Sequence, residues 1–264
     1  MRLYYMTRLS TFEEYILPTQ QIRISTFDRV NDPFELLGEI AGGNKSTHDF
    51  NWLRKHWTET HGFISFSDNW RSPLMWAHYA ENHTGVCLGI DIPAAHASKV
   101  AYLPARSMAD MDFKQFEHAA DGDLFRRIAT TKYEQWAYEK EWRIFKNLEF
   151  NPKEIRPEFF YESFTPEFEL REVILGARCP RTGKEMQEKI FGATATITIK
   201  KARAAFGTFD IVEQKQAFRY SVSPMTDFTK KERKKMSADR YAAARELDEK
   251  LKRAQKDIIH SPRT

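Results

Sequence analysis

The densest set of chemistry-bearing residues is Tyr138-Glu-Lys-Glu-Trp-Arg. Read as a strand, it puts Glu139, Glu141 and Arg143 on one face and Lys140 and Trp142 on the other. Two carboxylates and an arginine beside aromatics can organise a ribose hydroxyl or stabilise a developing cation. The same pattern also fits an exposed, ion-paired edge strand. A second set is Arg71-Ser-Pro-Leu-Met-Trp-Ala-His-Tyr-Ala. On a helix, Leu74 and His78 share a face, as do Met75 and Tyr79, while Trp76 and Ala80 share another. Such a helix reads as buried with a polar end near a cleft, or as a core helix with a hydrogen-bonded His78. The third set is Arg29, Asn31, Asp32 and Glu35 around a proline turn. It fits a polar loop that touches a ligand, or a turn whose Asp and Asn cap their own backbone.

Several familiar devices are absent from the sequence. It has no GxxxxGK[ST] phosphate loop, no GxGxxG, no GxSxG elbow and no HExxH. His78 and His83 are five apart and do not align on a helix, so no metal is expected. Cys87 lies inside an apolar run, where a buried thiol is inert. It and Cys179 are the two cysteines, too few for a disulfide framework.

The elements that must position these residues follow from periodicity. Strands are expected at 1–7, 21–25, 62–67, 85–92, 100–103, 139–146, 168–176 and 194–200. The apolar run 85–92 reads as a central strand. Helices are expected at Thr11–Leu17, stopped by Pro18, at Asp49–Glu59 and at Pro73–Asn82 with Ser72 as its cap. Further helices are expected over 110–137, broken near 121–122, and at Arg181–Ile190. Residues 42–46 read as a loop, and 206–212 with 217–222 as a terminal hairpin. Strands interleaved with helices give an α/β (α+β) domain with a mixed sheet and flanking helices over residues 1–225. Residues 226–264 form a basic helical extension. Its apolar positions Tyr241, Ala244, Leu247, Leu251, Ala254 and Ile258 make one stripe, suited to docking on the body or to a homodimer.

Composition narrows the class further. The 264 residues are 41% hydrophobic, 14% aromatic and 30% charged, with net charge +4. That much bulky apolar material argues for a folded core and against disorder. No apolar run approaches the ~20 residues of a membrane span, and the first residues lack a signal-peptide core. A cytoplasmic setting is therefore expected. The charge is uneven: 229–264 holds 12 Lys/Arg against 6 Asp/Glu, leaving 29 against 31 before it. The extension suits nucleic acid or an acidic protein partner, or is a solvated helix.

Asn31-Asp-Pro-Phe-Glu, Phe63-Ile-Ser-Phe-Ser, the run from Pro73 to Asp91 and Trp136-Ala-Tyr-Glu-Lys-Glu-Trp-Arg together resemble a bacterial domain-of-unknown-function family over residues 3–176. The motif order is also similar to the DarT-type ADP-ribosyltransferases, which modify DNA using NAD. Tyr5, in Leu3-Tyr-Tyr-Met-Thr, stands where that type has a histidine. Phe66-Ser-Asp-Asn-Trp-Arg-Ser-Pro-Leu-Met resembles its NAD-contacting segment, with Arg71 in the arginine position. Glu141-Trp-Arg-Ile-Phe resembles the strand that opens on the catalytic glutamate, with Glu139 as the competing choice. The likeness implies an ADP-ribosyltransferase-like domain, NAD as substrate, and a toxin or anti-phage role on nucleic acid or protein. Glu141 would serve the ribose or the acceptor, and Arg71 would clamp phosphate. Asn31, His78 and the aromatics Tyr5, Trp76 and Tyr79 would border NAD. Two other readings compete: a non-catalytic binding module, and a metal-dependent nuclease using Asp32, Glu35, Glu139 and Glu141.

Overall fold

In the computed structural model, residues 1–37, 39–41, 44–109, 122–148, 159–190, 195–215 and 218–224 are described. Its strands are β1 (Arg2–Thr7), β2 (Gln21–Thr26), β3 (Glu39–Ala41), β4 (His61–Ser67), β5 (Val86–Asp91), β6 (Ser98–Lys99), β7 (Ala101–Leu103), β8 (Ser107–Ala109), β9 (Thr131–Tyr133), β10 (Glu141–Asn147), β11 (Phe160–Ser163), β12 (Glu169–Leu175), β13 (Ile197–Ala204), β14 (Ile211–Glu213) and β15 (Tyr220–Val222). Among the described residues, eleven of them form one mixed sheet with the path β11-β2-β4-β1-β5-β12-β13-β14. β10 joins β4 and β6, and β15 joins β13. β12 and β13 run parallel, and the other pairs in this sheet are antiparallel. The fold is thus mixed α+β. No helix among the described residues is long and apolar enough to cross a membrane.

Period-two alternation sorts the strand side chains into cores. Leu3, Ile64, Phe66, Leu88, Ile90 and Ile144 enter the largest core. The alternate positions feed two smaller ones. Phe63 joins Phe27, Trp57 and Phe125, with Phe145 packed against them. Met6 and Cys87 join Met75, Trp76 and Ile174.

The sheet splits at β4. β10 pairs along the whole of one edge of β4, from Glu141↔Ser67 to Asn147↔His61. On the other edge, β2 pairs at Phe63 and Gly62, while β1 pairs at Ser67. Between those two contacts no strand among the described residues lies against β4.

The helices differ from the expectations in instructive ways. The first does not stop at Pro18. Helical structure runs as Leu9–Thr11, a π segment Phe12–Ile16 and Leu17–Thr19, ending at Gln20 with φ 55°. Proline supplies no N–H and presses on the carbonyl four residues back, and a widened π turn relieves both constraints. Asn44–Thr60 is helical, so part of the expected 42–46 loop is a first helical turn. Pro73–Tyr79 keeps its expected cap, Ser72 Oγ accepting from Met75 N–H. It ends early because Glu81, Asn82 and His83 all take positive φ. Within the expected 110–137 helix, only Gly122–Ala129 is α-helical among the described residues. It is followed by β9 and a 3-10 segment Glu134–Glu139. β14 and β15 both pair with β13 instead of forming a hairpin together, since each finds a longer partner there. The expected basic helical extension over 226–264 lies outside the described residues.

The reversal at 81–83 brings two glycines against backbone. The Gly176 N–H donates to the Gly85 carbonyl at 3.0 Å. A Cβ on Gly176 would lie 2.2 Å from the His83 carbonyl oxygen, a contact only backbone movement can relieve. Gly176→Ala is expected to cost about 1–3 kcal/mol of unfolding free energy, measured by urea denaturation.

Candidate functional site

The face of β4 and β10 opposite the main core changes character along its length. Phe63 pairs with Phe145, then Ser65 with Arg143, then Ser67 with Glu141. The apolar end belongs to one small core, and the other small core begins at Met6 and Met75. The polar stretch lies between them, beside the split in the sheet. A cavity of about 270 Å³ opens there, bordered by Tyr4 and Met6 of β1, Ser65 and Ser67 of β4, Tyr79 of the capped helix, and Arg29 and Asn31 of the proline turn.

Its floor is a buried charge cluster. Arg143, 1% exposed, donates from Nη2 to Glu35 Oε1 at 2.6 Å and from Nη1 to Glu35 Oε2 at 2.9 Å. It donates from Nε to Glu141 Oε1 at 2.8 Å and from Nη1 to the Ala129 carbonyl at 2.6 Å. Its guanidinium also lies 4.3 Å from the centre of the Phe63 ring. Lys132 Nζ donates to Glu139 at 2.6 Å and to Glu141 at 3.2 Å. Ser65 Oγ donates to Glu141 Oε1 at 2.6 Å. The Tyr79 hydroxyl donates to Glu139 Oε1 and accepts from Asn31 Nδ2 at 3.3 Å. The Glu141 N–H donates to Tyr102 Oη at 2.8 Å. Three carboxylates face two cations, leaving one negative charge in excess when all are ionised.

These contacts set the protonation states. Burial pushes the Glu141 carboxyl up, but Arg143 and Lys132, with hydrogen bonds from Arg143 and Ser65, outweigh it and hold it at about 2. Burial pulls the Lys132 ammonium down, yet Glu141 and Glu139 win and raise it. Burial, and then the Glu139 charge, push the Tyr79 phenol well above its ordinary value, so it stays a donor.

Two turns deliver the carboxylates, and each contains a non-glycine residue in the left-handed region. Leu36, φ 57°, follows Glu35, and Lys140, φ 46°, separates Glu139 from Glu141. Glu139 closes the 3-10 segment and does not lie on β10, as alternation suggested. The Asp68 N–H donates to the Lys140 carbonyl at 3.2 Å and pins that turn to the end of β4.

The structure brings together Glu139, Glu141, Asn31 and Tyr79, which sequence reasoning singled out. Tyr5 also borders the cavity, but its ring packs edge-on against Phe66 at 6.1 Å, on the main-core side. Three others lie outside. Trp76 is fully buried in a core, its Nε1–H donating to the Trp70 carbonyl at 2.6 Å. His78 is exposed and leans on Tyr138, and Arg71 is exposed near Trp70. Of the four carboxylates considered as metal ligands, Asp32 turns away and accepts from the Phe34 N–H at 2.9 Å. Lys132 and Ser65 were missed. Lys132 fell within an expected helix, and only the β-branched and aromatic flanks of Thr131-Lys-Tyr hint at a strand.

Two outcomes follow. Arg143→Met leaves Glu35 and Glu141 facing each other's charge in a buried site. It is expected to cost about 3–5 kcal/mol in urea denaturation. Glu141 ionises more easily folded than unfolded, so its contribution is complete above its ordinary value of 4.5 and disappears as pH falls toward about 2. Wild type is expected to lose on the order of 3 kcal/mol across that window. Glu141→Gln should start less stable and fall less steeply, and equal slopes would refute the assignment.

No curated protein and no solved structure matches the chain. Residues 75–144, the segment that carries Tyr79, Lys132, Glu139, Glu141 and Arg143, match the model of a family described as Protein of unknown function (DUF2971).

Proposed function

We propose that this cavity binds NAD and that the protein transfers the ADP-ribosyl group to an acceptor. The observation that carries the reading is a buried carboxylate cluster with excess negative charge on the floor of a cavity in a split sheet. Cleaving the bond between ribose and nicotinamide develops positive charge on the sugar, starting from a cationic pyridinium ring. A fixed, water-poor negative field stabilises that change more than bulk water does. The volume lies just under the roughly 300–1,000 Å³ of whole-ligand sites, which suits the nicotinamide–ribose half with the remainder outside.

Arg29 stands at the border of the cavity, where a guanidinium fork suits the pyrophosphate. Asn31 supplies a polar group near the sugar, and Met6, Met75 and Phe63 give an apolar wall for a flat ring. Arg71, the arginine favoured by motif order, is not among the cavity residues, and Arg29 takes that role in this proposal. The net +6 of residues 229–264 suits an acidic target such as nucleic acid. A toxin or anti-phage role rests on the DarT likeness.

Thermal unfolding with NAD, followed by assay of free nicotinamide, tests the reading. Ligand at 100 times its Kd stabilises a fold by about 2.7 kcal/mol, enough to raise Tm by several degrees. A raised Tm with slow nicotinamide release into water is the expected result. No shift and no release from folded protein would refute it.

A further inference from the structure

Hydrogen bonding separates the two glutamates, of which motif order favoured Glu141. A carboxylate offers about four acceptor positions, two on each oxygen. Those of Glu141 are filled from within the protein. Oε1 accepts from Ser65 Oγ and Arg143 Nε, and Oε2 accepts from Arg143 Nη2 at 3.0 Å and Lys132 Nζ at 3.2 Å. Among the described residues, Glu139 accepts one bond per oxygen, from the Tyr79 hydroxyl on Oε1 and from Lys132 Nζ on Oε2. One acceptor position remains on each oxygen, and Glu139 borders the cavity. A ligand hydroxyl could reach Glu141 only by displacing a donor that compensates its buried charge, a costly exchange. It can reach Glu139 with no such loss.

We infer that Glu139 is the carboxylate that touches the reacting ribose and acceptor, and that Glu141 locks Arg143 and Lys132 in place. This rests on the transferase reading above. In the step, the bond from ribose C1′ to the pyridinium nitrogen breaks and its electron pair goes to the ring, releasing neutral nicotinamide. A lone pair on the acceptor oxygen or nitrogen forms the new bond to C1′. The acceptor's proton passes to Glu139 and then to solvent. Tyr79 and Lys132 each hold one oxygen of Glu139, and each oxygen keeps an open acceptor position in a residue that borders the cavity. Tyr79 is a positioning residue.

Glu139→Gln, Glu141→Gln and Tyr79→Phe, assayed for nicotinamide release, NAD-dependent thermal shift and unfolding midpoint, test the assignment. Glu139→Gln is expected to unfold within about 4 °C of wild type and to keep the NAD shift, while losing release by about 100-fold or more. Glu141→Gln is expected to unfold about 8 °C or more below wild type and, with one charge of the cluster gone, to lower release per folded molecule, but clearly less than Glu139→Gln does. Tyr79→Phe should keep KM within about twofold and lower kcat about tenfold. The inference is overturned if release survives in Glu139→Gln, or if folded Glu141→Gln loses release as far as Glu139→Gln does. If wild type neither binds NAD nor releases nicotinamide, the transferase reading fails and the midpoints decide alone. A drop in Glu139→Gln that equals or exceeds that in Glu141→Gln then overturns the division of roles.

Discussion

The burial of the Arg143 guanidinium is the constraint on which the site depends. An arginine cannot shed its charge, so a 1% exposed guanidinium must meet counter-ions and acceptors wherever the chain can supply them. Here they come from three places: Glu35, 108 residues earlier; Glu141, two residues earlier on the same strand; and the carbonyl of Ala129 at the end of a helix. The proline turn, the helix end with β9, and β10 are thereby tied at one point. Each tie is expensive to break alone, because what remains is an uncompensated charge in a dry setting. The partly exposed pair Arg2–Asp91 carries no such penalty, since water can replace either partner.

A cluster of this kind is a poor way to gain stability. An apolar filling of the same face would do as well or better, and the neighbouring Phe63–Phe145 pair shows that this chain makes such a filling. The two left-handed residues beside the carboxylates add strain of roughly 1–3 kcal/mol each. The buried charge cluster and two of the six left-handed non-glycine residues among the described residues coincide on one face, beside the gap in the sheet. That concentration is what a binding or reacting site looks like in energetic terms.

Much of the frame was legible in the residues. Val86–Asp91 reads as a buried central strand because it is apolar on both faces, and it does lie between β1 and β12. Ser72-Pro73 marks a helix start through a cap and a proline whose missing N–H costs nothing there. Glu139, Glu141 and Arg143 were visible as a set because alternation groups them. What alternation cannot carry is convergence over distance. Glu35 stood out as part of a turn and as one of four candidate metal ligands, and its pairing with Arg143 depends on the third dimension. Lys132 lies on a three-residue strand, too short for any period to show. Trp76 lies in a core away from the cavity, while Tyr5 borders the cavity with its ring against Phe66, and neither placement could be read from the chain. A tyrosine or tryptophan in an apolar run carries no mark of which side of the sheet its ring will take.

The left-handed residue between the two glutamates explains how similar side chains come to differ. On a regular strand, residues i and i+2 point the same way about 6.5 Å apart and meet the same surroundings. Here Lys140 turns the backbone instead, so Glu139 ends a 3-10 segment while Glu141 starts β10. Glu141 is drawn into the sheet between Ser65 and Arg143, where four donors close on it. Glu139 is also buried but ends outside the strand, where Tyr79 reaches it from the capped helix. Lys132, between them, compensates both charges and keeps the pair from repelling. One residue's φ angle therefore divides a symmetric-looking motif into an anchored carboxylate and one that still has room for a partner.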